Sequence, residues 1–315
     1  MSALTHNFTN AFSAGTIPFS PALKGSVTSL CTCLSCKADT PAPWWKNARS
    51  LELLLRGAWN EVSSDFLSEM RAHLNNLDLD AMDGLVRMAD GLGVEMSKLI
   101  GNKAEALLAT LEQKADAAWT LYGKKALNTS TLTPLDPQFQ KHIANVQATQ
   151  IKKFSEAFPK RILHPEITRQ IQYLRDSDLT RSVDVSRLDE KLTHFIKQER
   201  YWENLSDVQT ARLWHTDGVM LANQNGVRYC QVTGPFDERT CPVCNRMMGM
   251  KIAVDPAVKK VKADINITDP DKYVEAWTFP RIADIDNMSR EAIEEKGLMP
   301  PFHNRCRHTI TWLSK

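Results

Sequence analysis

The chain has 315 residues, 43% of them hydrophobic and 24% charged, which is enough apolar material for an ordinary core and excludes disorder along the whole length. Lys and Arg number 39 against 37 Asp and Glu, a net charge of +2, so a nucleic-acid or anionic-lipid partner would have to be met by a local patch. Length alone argues for two compact units, or one large unit with an arm. Residues 1–43 are rich in Ser, Thr, Pro and Ala, carry few charges and show no sustained period, so they read as an irregular arm bearing Phe8, Phe12, Phe19 and Leu23. From Trp44 the pattern changes. Leu51, Leu55, Ala58, Val62, Phe66 and Met70 recur every three or four residues, the spacing of an amphipathic helix, with Trp44, Trp45 and Trp59 as core or subunit contacts.

Two more helical stretches follow, one around Met82 to Ile100 and one carrying Leu107, Leu111, Ala115, Ala118 and Tyr122. The run from Asn128 to Pro137 stacks turn formers and two prolines and predicts a linker or long turn. Beyond it the spacing predicts helices over Phe139 to Phe158, ended by Pro159, over Pro165 to Leu174, and over Val185 to Tyr201, where Leu188, Leu192, Phe195 and Ile196 share a face. A last helix carries Leu205, Val208, Ala211, Trp214 and Leu221, capped by Ser206 and ended near Asn225-Gly226. At Val227 the period shifts to alternation: VRYCQVTG predicts a strand, Met250 to Asp255 its partner, and Cys306 to Leu313 a closing strand. Residues 256–300 are polar and broken by Pro256, Pro270 and Pro280, the mark of an inserted loop. The expected fold class is therefore mainly α with a small α+β carboxy-terminal module. The arm spans 1–43, a helical domain 44–225 with a subdivision near 128–137, and a short antiparallel zinc-knuckle module 226–315 with its polar insertion at 256–300.

No stretch approaches the roughly 18 uninterrupted apolar residues of a membrane-spanning helix, and the opening MSALTHNFTNAFSAG lacks the basic and apolar regions of a secretion signal. The seven cysteines fall in two clusters, which without a secretion signal points to thiolate ligands or free thiols rather than a disulfide framework. The second cluster carries chemistry. Cys241 and Cys244 form Cys-x-x-Cys in a turn, and His303 and Cys306 form His-x-x-Cys just ahead of the closing strand. Three thiolates and an imidazole suit tetrahedral structural zinc. The plainer alternative is four unliganded residues that pack or pair as a disulfide. His308 shares a strand face with Cys306, so it competes with His303 for the last ligand position or supports it from outside. Cys31, Cys33 and Cys36 are either free thiols on the arm or a second set completed by His6, Cys230 or another subunit.

The runs GPFDERTCPVCNRMMG and PPFHNRCRHTITW resemble the carboxy-terminal signature of the Mu F-like phage minor head proteins, also described as phage head morphogenesis proteins, through Asp237, Arg239, Thr240, Cys241, Cys244, Gly249, Pro300, Pro301, His303, Cys306 and Arg307. The resemblance covers residues 200–315, with the earlier helices alike only in kind. It implies a structural component of the phage head with no reaction of its own, contacting portal and major capsid proteins, located in the virion and, during assembly, in the host cytoplasm. Packaged DNA is a further contact it leaves open.

Rival readings start from the same residues. His164-Pro165-Glu166 together with CPVC superficially matches a zinc deaminase, but Thr240 stands where such enzymes need Pro. A metallo-nuclease around His303, Asn304 and His308 would need an open metal position. A nucleic-acid-binding zinc module would use Lys259, Lys260, Lys262, Arg305 and Arg307, which Asp255, Asp264, Asp269 and Asp271 dilute.

Overall fold

The computed structural model describes residues 43–76, 79–176, 189–191, 193–194, 199–269, 272, 282–303 and 305–313. The arm with Cys31, Cys33 and Cys36, most of the stretch expected as a helix over Val185 to Tyr201, Pro270, Pro280 and Asn304 lie outside them. The protein is mostly helical, with one small antiparallel sheet near the carboxy terminus.

Helix α1, Trp45–Asn75, buries Leu51, Leu55, Ala58, Trp59, Phe66, Met70 and Leu74 along one face, as its period requires. Helix α2, Leu79–Ala126, is 48 residues long, about 70 Å at 1.5 Å per residue. It joins the two helices expected from the sequence into one, running through Gly101 and Asn102 without a break. Its buried stripe in this half is Ile100, Ala104, Leu108, Leu111, Ala115 and Trp119, so Leu107 and Ala118 sit at the margin of the face. The turn after it ends at Asp136, whose carboxylate accepts from the Gln138 N–H at 2.9 Å and caps helix α3, Pro137–Phe158.

Pro159 does not end the helical path. A single π-helical turn, Pro159–Leu163, absorbs the missing N–H and leads directly into α4, His164–Asp176. Helix α5, Glu199–Gln224, is the spine of the molecule. Tyr201, Trp202, Leu205 and Leu213 belong to a core shared with α1 to α4, whereas Val208, Val219, Met220, Leu221 and Ala222 belong to a second core shared with the sheet. Ser206 is not its cap. It is buried inside the helix and donates to the Trp202 carbonyl at 2.7 Å. The helix stops where expected, with Gly226 at φ 70°.

The sheet has the order β2-β1-β3, both pairs antiparallel, with β1 at Tyr229–Thr233, β2 at Lys251–Ala253 and β3 at Thr309–Trp312. Cys230 stands opposite Ile252 on one side and Trp312 on the other, and Val232 opposite Ile310, so the buried face is one continuous row. A stack of rings ties this sheet to the helices: Trp312 lies parallel to Trp119 at 5.9 Å, and its Nε1 donates to the Gly218 carbonyl at 3.2 Å. Gly218 is required there, because a Cβ would fall 2.4 Å from the Trp119 ring.

The described residues of the expected loop over 256–300 are largely helical instead. Short helix α6, Pro242–Met247, precedes β2. Then α7, Val254–Asp264, buries Ala257, Val258 and Val261, while α8, Ile282–Asp286, and α9, Arg290–Glu295, bury Ile285 and Ile293. Pro256 sits in the first turn of α7, where its missing N–H has no helical partner to lose, so a residue read as a breaker is a helix starter.

Candidate metal centre

The first ligand turn is built by short-range hydrogen bonds. Asp237 accepts from the Arg239 N–H at 3.0 Å, the Thr240 hydroxyl donates to the Pro235 carbonyl at 3.1 Å, and the Asp237 N–H donates back to the Thr240 oxygen at 3.0 Å. Cys241 then takes the N-cap position of α6, with its sulfur accepting from the Cys244 N–H at 3.4 Å, and Pro242 opens the helix. Both sulfurs thus point from one helical turn toward the same side.

The second turn carries its own hydrogen bond, from the Cys306 N–H to the His303 carbonyl at 3.3 Å, and is held further by α5. Arg305 has φ 58°, a left-handed conformation costly for a side chain with a Cβ. Its N–H donates to Asp207 Oδ2 at 2.8 Å, and its guanidinium pairs with Glu203, so α5 holds the turn from two points one helical turn apart. The other Asp207 oxygen accepts from Trp44 Nε1 at 3.3 Å. Burial pushes the Asp207 carboxyl up to about 6 against these donors. The two ligand turns are clasped to each other by Arg307, which donates to both oxygens of Asp237 at 2.8 and 2.6 Å; that pairing holds the Asp237 carboxyl down to about 2.

These supports converge five side chains that could hold a metal ion. Cys241, Cys244 and His303 form one set of donor atoms within 4.8 Å of one another, and Cys244, Cys306 and His308 form a second, with Cys244 common to both. Cys244 Sγ lies 3.0 Å from His303 Nε2 and 3.7 Å from Cys306 Sγ. All three sulfurs are free thiols. Their contacts split them by proton affinity. The hydrogen bond from Cys244 holds Cys241 down to about 4, while the same contact and that with Cys306 push Cys244 well above the ordinary thiol value. Burial works to raise Cys306, but the contacts with Cys244, His303 and His308 carry it well below its ordinary value. Thiolates are the form a soft divalent ion takes. Three sulfurs, two imidazoles and no carboxylate in the cluster make a donor set that can hold a metal ion and that suits zinc or a metal of similar softness.

All four residues expected from sequence, Cys241, Cys244, His303 and Cys306, are therefore in one cluster, and His308 is in it as well. Cys230 is not. It lies in β1 within the apolar core, and burial pushes its thiol up to about 12. His164 is not in the cluster either; its Nδ1 lies 3.4 Å from Asp90. Sequence reading gave no sign of Asp207 or of His215, a fully buried imidazole edge-on to Trp44 at 4.9 Å and close enough to Cys306 to feel its charge. Of the lysines of α7, Lys260 pairs with Asp264 at 3.1 Å. A second polar recess, about 30 Å³ between α3, α5 and α7 and lined by Gln147, Gln150, Arg212 and Asp264, is the size of a water molecule.

Set against protein-family models, curated proteins and solved structures, the chain finds no match in any of the three. Among the described residues no helix is long and apolar enough to cross a membrane.

Proposed function

We propose that this protein is a structural minor head protein of a tailed phage, resembling the Mu F-like head morphogenesis proteins, whose carboxy-terminal module is closed by a zinc ion held by Cys241, Cys244, Cys306 and a histidine, His303 being the one expected from the sequence. The observation that carries the reading is the convergence of a Cys-x-x-Cys turn and a His-x-x-Cys turn, 59 residues apart in the chain, on one buried cluster with Cys244 Sγ at 3.0 Å from His303. Zinc would serve here as a cross-link between α6 and the turn before β3. A site that fills its coordination with protein donors keeps no position for substrate or water, which supports a role without turnover. The partners under this reading are portal and major capsid proteins, met in the head and, before that, in the host cytoplasm, with packaged DNA as a further contact.

The test is to follow the tagged chain through head assembly and to measure its metal. Co-sedimentation with portal-containing heads and about one zinc per chain are expected. Absence from purified heads would sink the assembly role, and so would a nuclease or deaminase activity that disappears with His303→Ala or His164→Ala.

A further inference from the structure

The cluster offers two imidazoles for the one place that three thiolates leave in a tetrahedral site, and their surroundings differ. His308 is 2% exposed, and among the described residues its ring meets the Cys306 sulfur but no oxygen or nitrogen partner. Burying such a ring against sulfur alone is costly. Its position is nonetheless enforced, since it packs on Gly234, where a Cβ would come within 2.8 Å of His308 Cδ2 and 3.0 Å of its Cα. A ring driven into the interior and locked in place against sulfur is positioned as a ligand of a soft metal would be. The donor atoms within 4.8 Å of it are the sulfurs of Cys244 and Cys306, both buried.

His303 is placed otherwise. It is only half-buried, and its Nε2 already contacts Cys244 Sγ at 3.0 Å. In a tetrahedral site with bonds of about 2.3 Å to sulfur and 2.0 Å to nitrogen, two sulfurs lie roughly 3.8 Å apart and a sulfur and nitrogen roughly 3.5 Å apart. The Cys244–Cys306 separation of 3.7 Å matches the first edge. The Cys244–His303 separation of 3.0 Å is shorter than the second.

We propose that His308, not His303, is the imidazole ligand of the metal centre, completing a set with Cys241, Cys244 and Cys306, and that His303 acts from outside as a hydrogen-bond donor to the Cys244 sulfur. The inference rests on the metal-binding reading above and narrows it. His303 is then a positioning residue that tempers the charge of the thiolate shared by the two donor sets, and it is, with Cys241, one of the two members of the cluster that are only partly buried.

Cobalt(II) reports ligand identity directly, because each thiolate adds sulfur-to-metal charge-transfer absorption. The full-length chain is titrated with cobalt(II) alone, as wild type and as His308→Cys, His303→Cys and His303→Ala. His308→Cys should raise the near-ultraviolet charge-transfer intensity by roughly a third, the ratio of four thiolates to three, and move the visible bands to longer wavelength. His303→Ala should keep the wild-type spectrum and weaken binding by about tenfold, the ordinary cost of an outer-shell hydrogen bond. A four-thiolate spectrum from His303→Cys, or loss of the three-thiolate, one-imidazole spectrum in His303→Ala, overturns the assignment while leaving the metal centre standing. Circular dichroism monitors folding of each variant, and if His308→Cys does not fold, the two His303 variants decide by the same criteria. A wild-type chain that binds neither cobalt nor zinc removes the metal centre and this assignment together.

Discussion

The two cores of this protein are held in different ways. Around α1 to α4 the core is a long apolar row, with Trp59, Phe158 and Trp202 packed ring against ring at centroid distances of 4.9 to 5.6 Å. Around the sheet many of the elements are shorter. The strands have three to five residues and α6, α8 and α9 five or six, so the apolar face each offers is small, although together with α7 and the Trp119–Trp312 stack they do close a second core. What this region adds to burial is a handful of directed contacts: the cluster of sulfurs and imidazoles, the Arg307–Asp237 clasp and the hold of Asp207 on Arg305. Burial is additive and forgiving, whereas directed contacts fail as a unit, and that difference can be tested one side chain at a time.

The largest effect should come from Cys244→Ser, which removes the sulfur shared by both donor sets. Structural zinc in small modules is worth roughly 10 to 16 kcal/mol, far above the ordinary effect of one substitution. Limited proteolysis should then cut freely after residue 225 while α1 to α4 stay protected. A variant with unchanged protection in both regions would show that the second core stands without a metal. Trp59→Ala addresses the other side of the comparison. It should cost about 3 to 5 kcal/mol, seen as a lower melting temperature, while metal content per chain stays at the wild-type value.

A smaller effect belongs to the boundary of the two cores. Glu112 on α2 is buried, and desolvation followed by the nearby Asp116 raises its carboxyl to about 7; burial, Glu112 and Asp116 likewise raise Asp217 on α5 well above the usual range. Asp116 accepts from Gln140 of α3. A carboxyl with a raised folded-state value holds its proton in the folded protein after the unfolded chain has lost it. Stability contributed by Glu112 is therefore fully present below about 4.5 and is lost as pH climbs toward 7. Glu112→Gln should flatten that part of the pH–stability curve, and a curve with unchanged slope between those values would contradict the assignment. The smallest effect is expected for Arg307→Lys, which keeps the charge but loses the two-point grip on Asp237. About 1 kcal/mol is at stake at this exposed carboxylate, readable as faster amide exchange in residues 235–240 with the helices untouched.

The sequence disclosed the helices whose polar and apolar residues alternate with the right period, and α1 is the clearest case. It misled where a residue's usual meaning was overruled by its neighbours. Gly101-Asn102 looks like a helix end but lies in a helix held by packing along its whole length, and Pro159 looks like a stop but is carried through by one π-helical turn. Helix α5 was the hardest to interpret, since Asn204, Ser206, Asp207, Gln209, Thr210, His215 and Asp217 suggest a solvent face and all are buried. At the candidate metal centre, Cys241, Cys244, His303 and Cys306 were legible because metal-ligating residue types come in short pairs on turns. The supports were not. Asp207 is 98 residues from the Arg305 N–H it accepts, and nothing local in either segment announces the meeting.

The position of α5 between the cores has a consequence for the order in which the chain is made. Tyr122, whose hydroxyl accepts from the Trp312 N–H, emerges from the ribosome 190 residues before that partner. The first core can close as soon as α5 is out, and His215 and Asp217 then already face Trp44 of the first helix and Glu112 of α2, but the sides of Trp119 and Gly218 that meet Trp312 stay bare until β3 arrives. During that interval the nascent chain displays an uncovered face of Trp119. Slowing translation between residues 225 and 306 should prolong this exposure, while slowing it earlier should not.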